Sequence, residues 1–335
     1  MSKVSGLLYL PLAAGLVLSG CSSNGGTTTA DGGTTKTDGS TTKTDSSTPP
    51  PTEIKCNNDC KDLVLNRILL PSSPTEAQKF AVDFNNDGTK DNALGSILSA
   101  LSAVAKDLTL QASIDHNVNQ GKALILLRLQ AKDFANAPSA AAQAWLGKQT
   151  ACCTSTAAGE ESKCADEAAK TCFAGSGEFE IDPTAPKDAL FGGSITSGAI
   201  KFGPAKLNIS LPITDAGTLT VSLQKAQFMG KFDGSKITEG VLAGGVTKAD
   251  LDNNVIPTVA TLLDKTAKDP KTSATTKNQI LNLFDANKDG TITKDEVAKN
   301  DLIKTFLAGD VDVDGDGTPE LSLGIGFSAV LAKIK

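Results

Sequence analysis

Histidine, tryptophan and tyrosine are almost missing from this 335-residue chain, which holds one of each, two methionines and 4% aromatic residues. A lone histidine excludes imidazole-pair chemistry, and no G-x-S-x-G bend presents a serine nucleophile. His116 itself lies in the polar stretch DHNVNQG and is expected to be a solvated surface residue. Gly192, Gly193 and Gly198 lack the lysine and following helix of a phosphate loop, so they read as strand bends. No two carboxylates stand apart as a general acid and base, and the chain is expected not to be an enzyme. Basic residues are outnumbered 32 to 38, a formal charge of −6, which argues against a nucleic-acid partner and for the collection of cations. Long apolar runs are also missing: beyond Leu7 to Leu18 nothing approaches the length of a bilayer-crossing helix.

That one run is itself too short to span a membrane, and it stands between Lys3 and the tetrapeptide Leu18-Ser19-Gly20-Cys21. The tetrapeptide resembles the lipobox of bacterial lipoproteins. The resemblance implies that residues 1–20 are a removed signal peptide and that Cys21 carries the lipid. It makes the membrane a partner through that lipid and puts the chain in the bacterial cell envelope. Ser22 offers no inner-membrane retention signal, which favours the outer membrane. Residues 21–53 then contain Ser, Thr, Gly and Pro with almost nothing to bury, so ordering them has no compensation and a disordered tether is expected. Such a tether reaches roughly 30 Å on average and about 110 Å at full stretch. Six cysteines remain once Cys21 is taken, an even set that suits an oxidising compartment. Cys152 and Cys153 are adjacent and are expected to pair with Cys164 and Cys172, leaving Cys56 with Cys60. This is the most local of the many connectivities available.

The most specific stretch is Asp285 to Glu296, DANKDGTITKDE. A calcium ion takes six to eight oxygens, and here Asp285, Asn287, Asp289, Thr291, Thr293 and Glu296 fall at the liganding positions of a calcium loop around Gly290. Thr291 would offer its carbonyl, Thr293 a water and Glu296 both carboxylate oxygens. Ile280, Leu281 and Phe284 precede the loop at helical spacing; Val297, Leu302, Ile303 and Phe306 follow, with an interruption near Asn300 and Asp301. The segment resembles the EF-hand family, which implies calcium bound between two helices.

Comparing the chain with itself reveals a repeat. Asp83 to Gly95 (DFNNDGTKDNALG) and Asp312 to Gly324 (DVDGDGTPELSLG) share one pattern. Asp83, Asn85, Asp87, Thr89 and Asp91, like Asp312, Asp314, Asp316, Thr318 and Glu320, are candidate ligands around Gly88 and Gly317. Leu94 and Leu323 stand where the closing glutamate of an EF-hand would be, so the resemblance, here to dockerin-type loops, covers the first half only. Asp310, Asp312 and Asp314 with Gly315 offer an overlapping frame two residues earlier.

The body between Gly177 and Thr247 alternates with period two: Leu207, Ile209, Leu211 and Ile213, then Leu219, Val221 and Leu223. Lys206, Asn208, Ser210, Thr220, Ser222 and Gln224 take the opposite, solvated face, as in antiparallel sheets. Turn signals at Gly203-Pro204, Asp215-Ala216-Gly217 and Asp233-Gly234 suit a sandwich or barrel. Further strands are expected over Ala123 to Gln130 and Leu321 to Val330, and helices over Ala93 to Lys106 and from Pro257 to Lys268. Leu108 to Asn119 fits either state.

The expected class is α+β: an antiparallel β-rich body over 54–270, then the EF-hand region with the second Asp-rich loop and a final strand over 271–335. The expected function is a calcium-binding extracytoplasmic lipoprotein in which Ca2+ is structural. The alternatives are a calcium-dependent adhesion or ligand-binding module, its protein or glycan partner left open, and a lipid-anchored enzyme. Trp145 is the only Trp or Tyr after residue 20, too little for a sugar-stacking platform.

Overall fold

The structure, a computed structural model, describes residues 54–57, 59–104, 110–155, 157, 159–184, 189–214, 217–306 and 308–335. Side chains at 100–104, 211–214, 217, 302, 305 and 306 fall outside the description. The signal segment, Cys21, the tether and the Asp215-Ala216 turn therefore lie outside the described residues, as do the side chains of Leu211, Ile213, Leu302 and Phe306.

In chain order the elements begin with β1 (Cys60–Leu69), α1 (Pro74–Lys79), α2 (Ala93–Val104), α3 (Leu110–Asn119), β2 (Ile125–Gln130), β3 (Asn136–Leu146) and α4 (Glu161–Lys170). Next come β4 (Gly177–Phe179), β5 (Leu190–Thr196), β6 (Ala199–Thr214), β7 (Gly217–Phe232) and β8 (Lys236–Val246). The turn α5 (Lys248–Asp250) runs through a π-turn at Leu251–Val255 into α6 (Ile256–Lys268), followed by α7 (Ala274–Phe284), α8 (Lys294–Lys299), α9 (Asp301–Phe306) and β9 (Leu321–Ile334).

Eight antiparallel strands follow the order β1-β2-β3-β5-β6-β7-β8-β9, and β9 pairs back onto β1. The circuit is a closed barrel, so none of these strands is left as an unpaired edge. The class is thus α+β, with the barrel rather than the sandwich. β4 adds a short parallel pairing, Gly177–Phe179 against Ala332–Ile334, at the end of β9.

Alternation builds the β6–β7 hairpin as expected: Leu207, Ile209, Val221 and Leu223 are buried. Ser210 and Thr220 face outward, with their hydroxyls 2.9 Å apart. Gly203-Pro204 requires a correction, because it does not end a strand. It lies inside β6 as a bulge, where the pairing with β7 shifts between Phe202 and Ala205. Proline has no N–H for the ladder, and at Gly203, φ +118°, a Cβ would sit 2.5 Å from the Ala226 carbonyl oxygen. Gly192 and Gly193 lie in β5, and Gly198, at φ +75°, turns β5 into β6.

β9 shows why its sequence alternates large with very small. Leu321, Leu323, Ile325 and Phe327 enter the main core. On the other face, a Cβ at Gly324 would fall 2.1 Å from the Phe80 carbonyl oxygen and one at Gly326 would fall 2.5 Å from the Phe80 ring. Only glycine lets the segment after α1 lie that close to the strand.

The ambiguous stretch resolves as α3 from Leu110 onward, with Leu110, Ile114 and Val118 buried along one stripe. α3 packs on β1 and on β6, which stand on opposite sides of the circuit, so the helix crosses the barrel. Gln111 anchors it: Leu70 N–H donates to Gln111 Oε1 and Gln111 Nε2 donates to the Ile68 carbonyl, both at 2.8 Å. This placement corrects the expectation for His116. The residue is half-buried on α3, its Nε2 is 2.8 Å from Gln120 Nε2, and its Nδ1 is shielded from solvent.

Three disulfides join Cys56 to Cys60, Cys152 to Cys172 and Cys153 to Cys164, which agrees with the local pairing. The last two tie α4 and the residues just beyond its end to the segment after β3. A second, smaller core of Ile256, Leu263, Ile280, Phe284, Ile292, Val297 and Ile303 holds α6 to α9 together.

Candidate metal loops

Helix α7 begins at a capped serine, Ser273 accepting from Thr276 N–H, and ends at Phe284, so Asp285 opens the next loop from a buried position. The Asp285 carboxylate accepts from Asp289 N–H at 3.1 Å and Gly290 N–H at 2.8 Å. Asn287 Oδ1 accepts from Asp289 N–H at 2.9 Å, and Asp289 Oδ1 from Thr291 N–H at 2.8 Å. Lys288 and Gly290 take φ of +59° and +82°, the left-handed values that wind the loop tightly. Thr293 then caps α8, and Glu296 reaches back with one oxygen to Thr293 and the other to Asn287 N–H at 3.2 Å. The Thr293 hydroxyl and its N–H hold the Glu296 carboxyl below its ordinary value. The exit is broken at Asn300, so it forms two short helices, α8 and α9, at the interruption expected from sequence. Ile292 N–H donates to Asp264 of α6 at 3.0 Å, and Asp264 pairs with Lys268 at 2.7 Å.

The same winding recurs twice. Asp83 accepts from Asp87 N–H at 3.2 Å and Gly88 N–H at 3.0 Å, Asn85 from Asp87 N–H at 3.1 Å, and Asp87 from Thr89 N–H at 2.7 Å. Asp312 accepts from Gly315 N–H at 2.7 Å and Gly317 N–H at 2.9 Å, Asp314 from Asp316 N–H at 3.1 Å, and Asp316 from Thr318 N–H at 2.7 Å. Left-handed residues again sit at the fourth and sixth positions: Asn86 and Gly88, φ +59° and +87°, and Gly315 and Gly317, φ +81° and +86°. The bonds fall in the frame that begins at Asp312. Asp310 serves elsewhere, accepting from Ser322 N–H at 2.7 Å and from its hydroxyl at 2.5 Å.

These two loops close differently from the first. Each is pinched by a β-bridge, Val82 to Asp91 and Val311 to Glu320. The bridge turns the ninth-position carboxylate back over the loop: Asp91 accepts from Phe84 N–H at 3.0 Å and Glu320 from Val313 N–H at 2.9 Å. Leu94 and Leu323, at the twelfth position, are buried in the main core. The signal for this closure in the sequence is the acidic residue that both repeats share at position nine, Asp91 and Glu320.

Burial pushes the Asp91 carboxyl above its ordinary value, and the charges of Asp310, Asp87 and Asp83 add to the rise against the pull of Phe84 N–H. Glu320 is raised in the same manner, by burial first, with Asp314 and Asp316 adding to it. Both loops thus gather negative charge where a cation would relieve the repulsion. Asp312, Asp314 and Glu320 bring ligand oxygens within 4.8 Å of one another, the one such carboxylate group among the described residues. These residues could hold a metal ion. The acidic groups of the 83 and 285 loops are wound in the same way without meeting that spacing.

Outside the loops, a cavity of about 100 Å³ is lined by aliphatic side chains of α2, α6 and the barrel, Ile97, Val259 and Ile325 among them. A second, of about 550 Å³, flanks the ion pair in which Arg128 Nε and Nη2 reach Asp62 at 2.6 and 2.9 Å. Comparison with protein families, with curated proteins and with solved structures finds no match to this chain.

Proposed function

We propose that the chain binds calcium at three loops, and that the ions are structural braces in a lipoprotein anchored through Cys21 to the bacterial cell envelope. One observation carries this reading: the same backbone winding, with left-handed residues at the fourth and sixth positions and side-chain oxygens of the first, third and fifth turned inward onto loop N–H groups, is built three times in different settings. One copy stands between helices, one follows α1 and one leads into β9. Hydrogen bonding alone demands no such repetition, whereas a hard cation that takes six to eight oxygens at flexible geometry does.

On this reading Asp285, Asn287, Asp289, Thr291, Thr293 and Glu296 form the EF-hand site. Asp312, Asp314, Asp316, Thr318 and Glu320 form the second, and Asp83, Asn85, Asp87, Thr89 and Asp91 the third. The ninth carboxylate takes over closure in the latter two. Three disulfides suit an oxidising compartment, where calcium at high concentration keeps weak sites filled. A sensor role has less support, because α6 already packs on α7 and α8, and the chain carries two methionines rather than a Met-rich groove.

The test is calorimetric titration of calcium into the full chain in detergent after chelator treatment. Three ions per chain are expected, and Asp289→Ala and Asp314→Ala should each remove one. No binding at millimolar calcium overturns the proposal.

A further inference from the structure

The two repeats are far apart in sequence yet share one hydrogen-bonded seam, and the residues of that seam are not the loop ligands. Asn92, buried at 5% exposure, follows the ninth residue of the 83 loop. Its amide pairs with Gly324 as a second backbone would: Nδ2 donates to the Gly324 carbonyl at 3.0 Å and Oδ1 accepts from Gly324 N–H at 2.8 Å. The remaining capacity ties the exit of the 83 loop to α1, with Oδ1 accepting from Gly95 N–H and Nδ2 donating to the Ala77 carbonyl, both at 2.9 Å. Ser322, fully buried, makes the reciprocal link. Its hydroxyl accepts from Ala93 N–H at 2.8 Å, at the exit of the 83 loop, and donates to Asp310, at the entrance of the 312 loop.

The Leu-Gly that ends both repeats now has a reason. A Cβ at Gly95 would lie 2.4 Å from the Asn92 amide, and one at Gly324 would lie 3.0 Å from it. Both glycines make room for the same side chain.

We infer that the 83 and 312 loops are a single two-ion unit, with Asn92, Ser322 and Asp310 as positioning residues that transmit occupancy from one loop to the other. The inference rests on the calcium reading above. Winding either loop around an ion fixes its ninth residue and the exit behind it. Those exits are the groups that Asn92 and Ser322 clasp, so ordering one end orders the other. Coupling of this kind is reciprocal by thermodynamic necessity. The 285 loop stands outside the unit, since its own cross-link runs to Asp264 of α6.

Calcium titrations of the full chain in an Asp289→Ala background, where the 83 and 312 loops alone should bind, decide the matter. The parent should take two ions. Asp314→Ala and Asp87→Ala, both at exposed positions, should each leave one ion bound roughly tenfold more weakly than in the parent. Ser322→Ala should keep two ions and lose most of that difference, an effect that a residue important only for stability would not produce. Equal affinity of each surviving loop with and without its neighbour would overturn the inference, as would a parent that binds one ion. A parent that binds none would overturn the calcium reading along with it.

Discussion

Glu167 ties a tight local knot outside the three Asp-rich loops. Its carboxylate accepts from Thr154 N–H at 2.6 Å, from the Thr154 hydroxyl at 2.9 Å and from the Ser155 hydroxyl at 2.7 Å, just after the paired cysteines. These bonds, the Thr154 N–H foremost, hold its pKa down from 4.5 to about 2. A carboxyl depressed in the folded state stabilises above its unfolded pKa, and the contribution fades as pH falls through the folded value. The window therefore runs from 4.5 down to about 2. Glu167→Gln should melt below the parent at neutral pH, and the two melting temperatures should converge as the pH approaches about 2. A gap that stays constant with pH would show that the carboxylate charge plays no part.

Among the elements, those whose pattern is local were readable from the chain. β6 and β7 alternate cleanly, and the winding of the three loops follows from Asp, Asn and Gly at fixed spacing; α6 was readable as a helix, but Pro257 does not open it, because helical backbone already runs from Lys248 through the π-turn into Ile256. β3 was not readable, because NAPSAAAQAWL is rich in alanine, which favours helices and carries little strand signal. β1 and α4 carry little local signal either, beyond the disulfide candidates Cys60 and Cys164 within them. What the sequence hides most thoroughly is contact between distant segments. Nothing near Ile292 announces that Asp264 on α6 will accept its N–H, and nothing near Gly324 announces Asn92. The first of these contacts gives a prediction for the helical layer. Asp264→Ala leaves the Ile292 N–H unpaired in a buried position and should cost about 1–3 kcal/mol locally. Hydrogen exchange should quicken across α7 and α8 and stay unchanged in β6 and β7; uniform quickening would mean that the helical layer and the barrel unfold together.

At the scale of the whole molecule, the barrel and the helical layer have separate cores, and the proposed ions sit at the ends of elements in both. An ion that binds only the folded state stabilises by mass action, about 2.7 kcal/mol for a site at a hundred times its Kd. Chelator should therefore lower the melting temperature of the full chain, and added calcium should restore it. A midpoint indifferent to chelator would contradict a bracing role.

The seam between β1 and β9 also bears on how the protein is made. A chain emerging from its N-terminus delivers β1 early, but one edge of that strand has no neighbour until the last elements arrive, since β9 runs from Leu321 to Ile334. Throughout synthesis the growing sheet stays open on the side where the first strand waits. A product cut short before Leu321 would lack β9, leaving both β1 and β8 as exposed edges able to pair with other chains. Copies without β9 would thus differ from complete ones in stickiness as well as length.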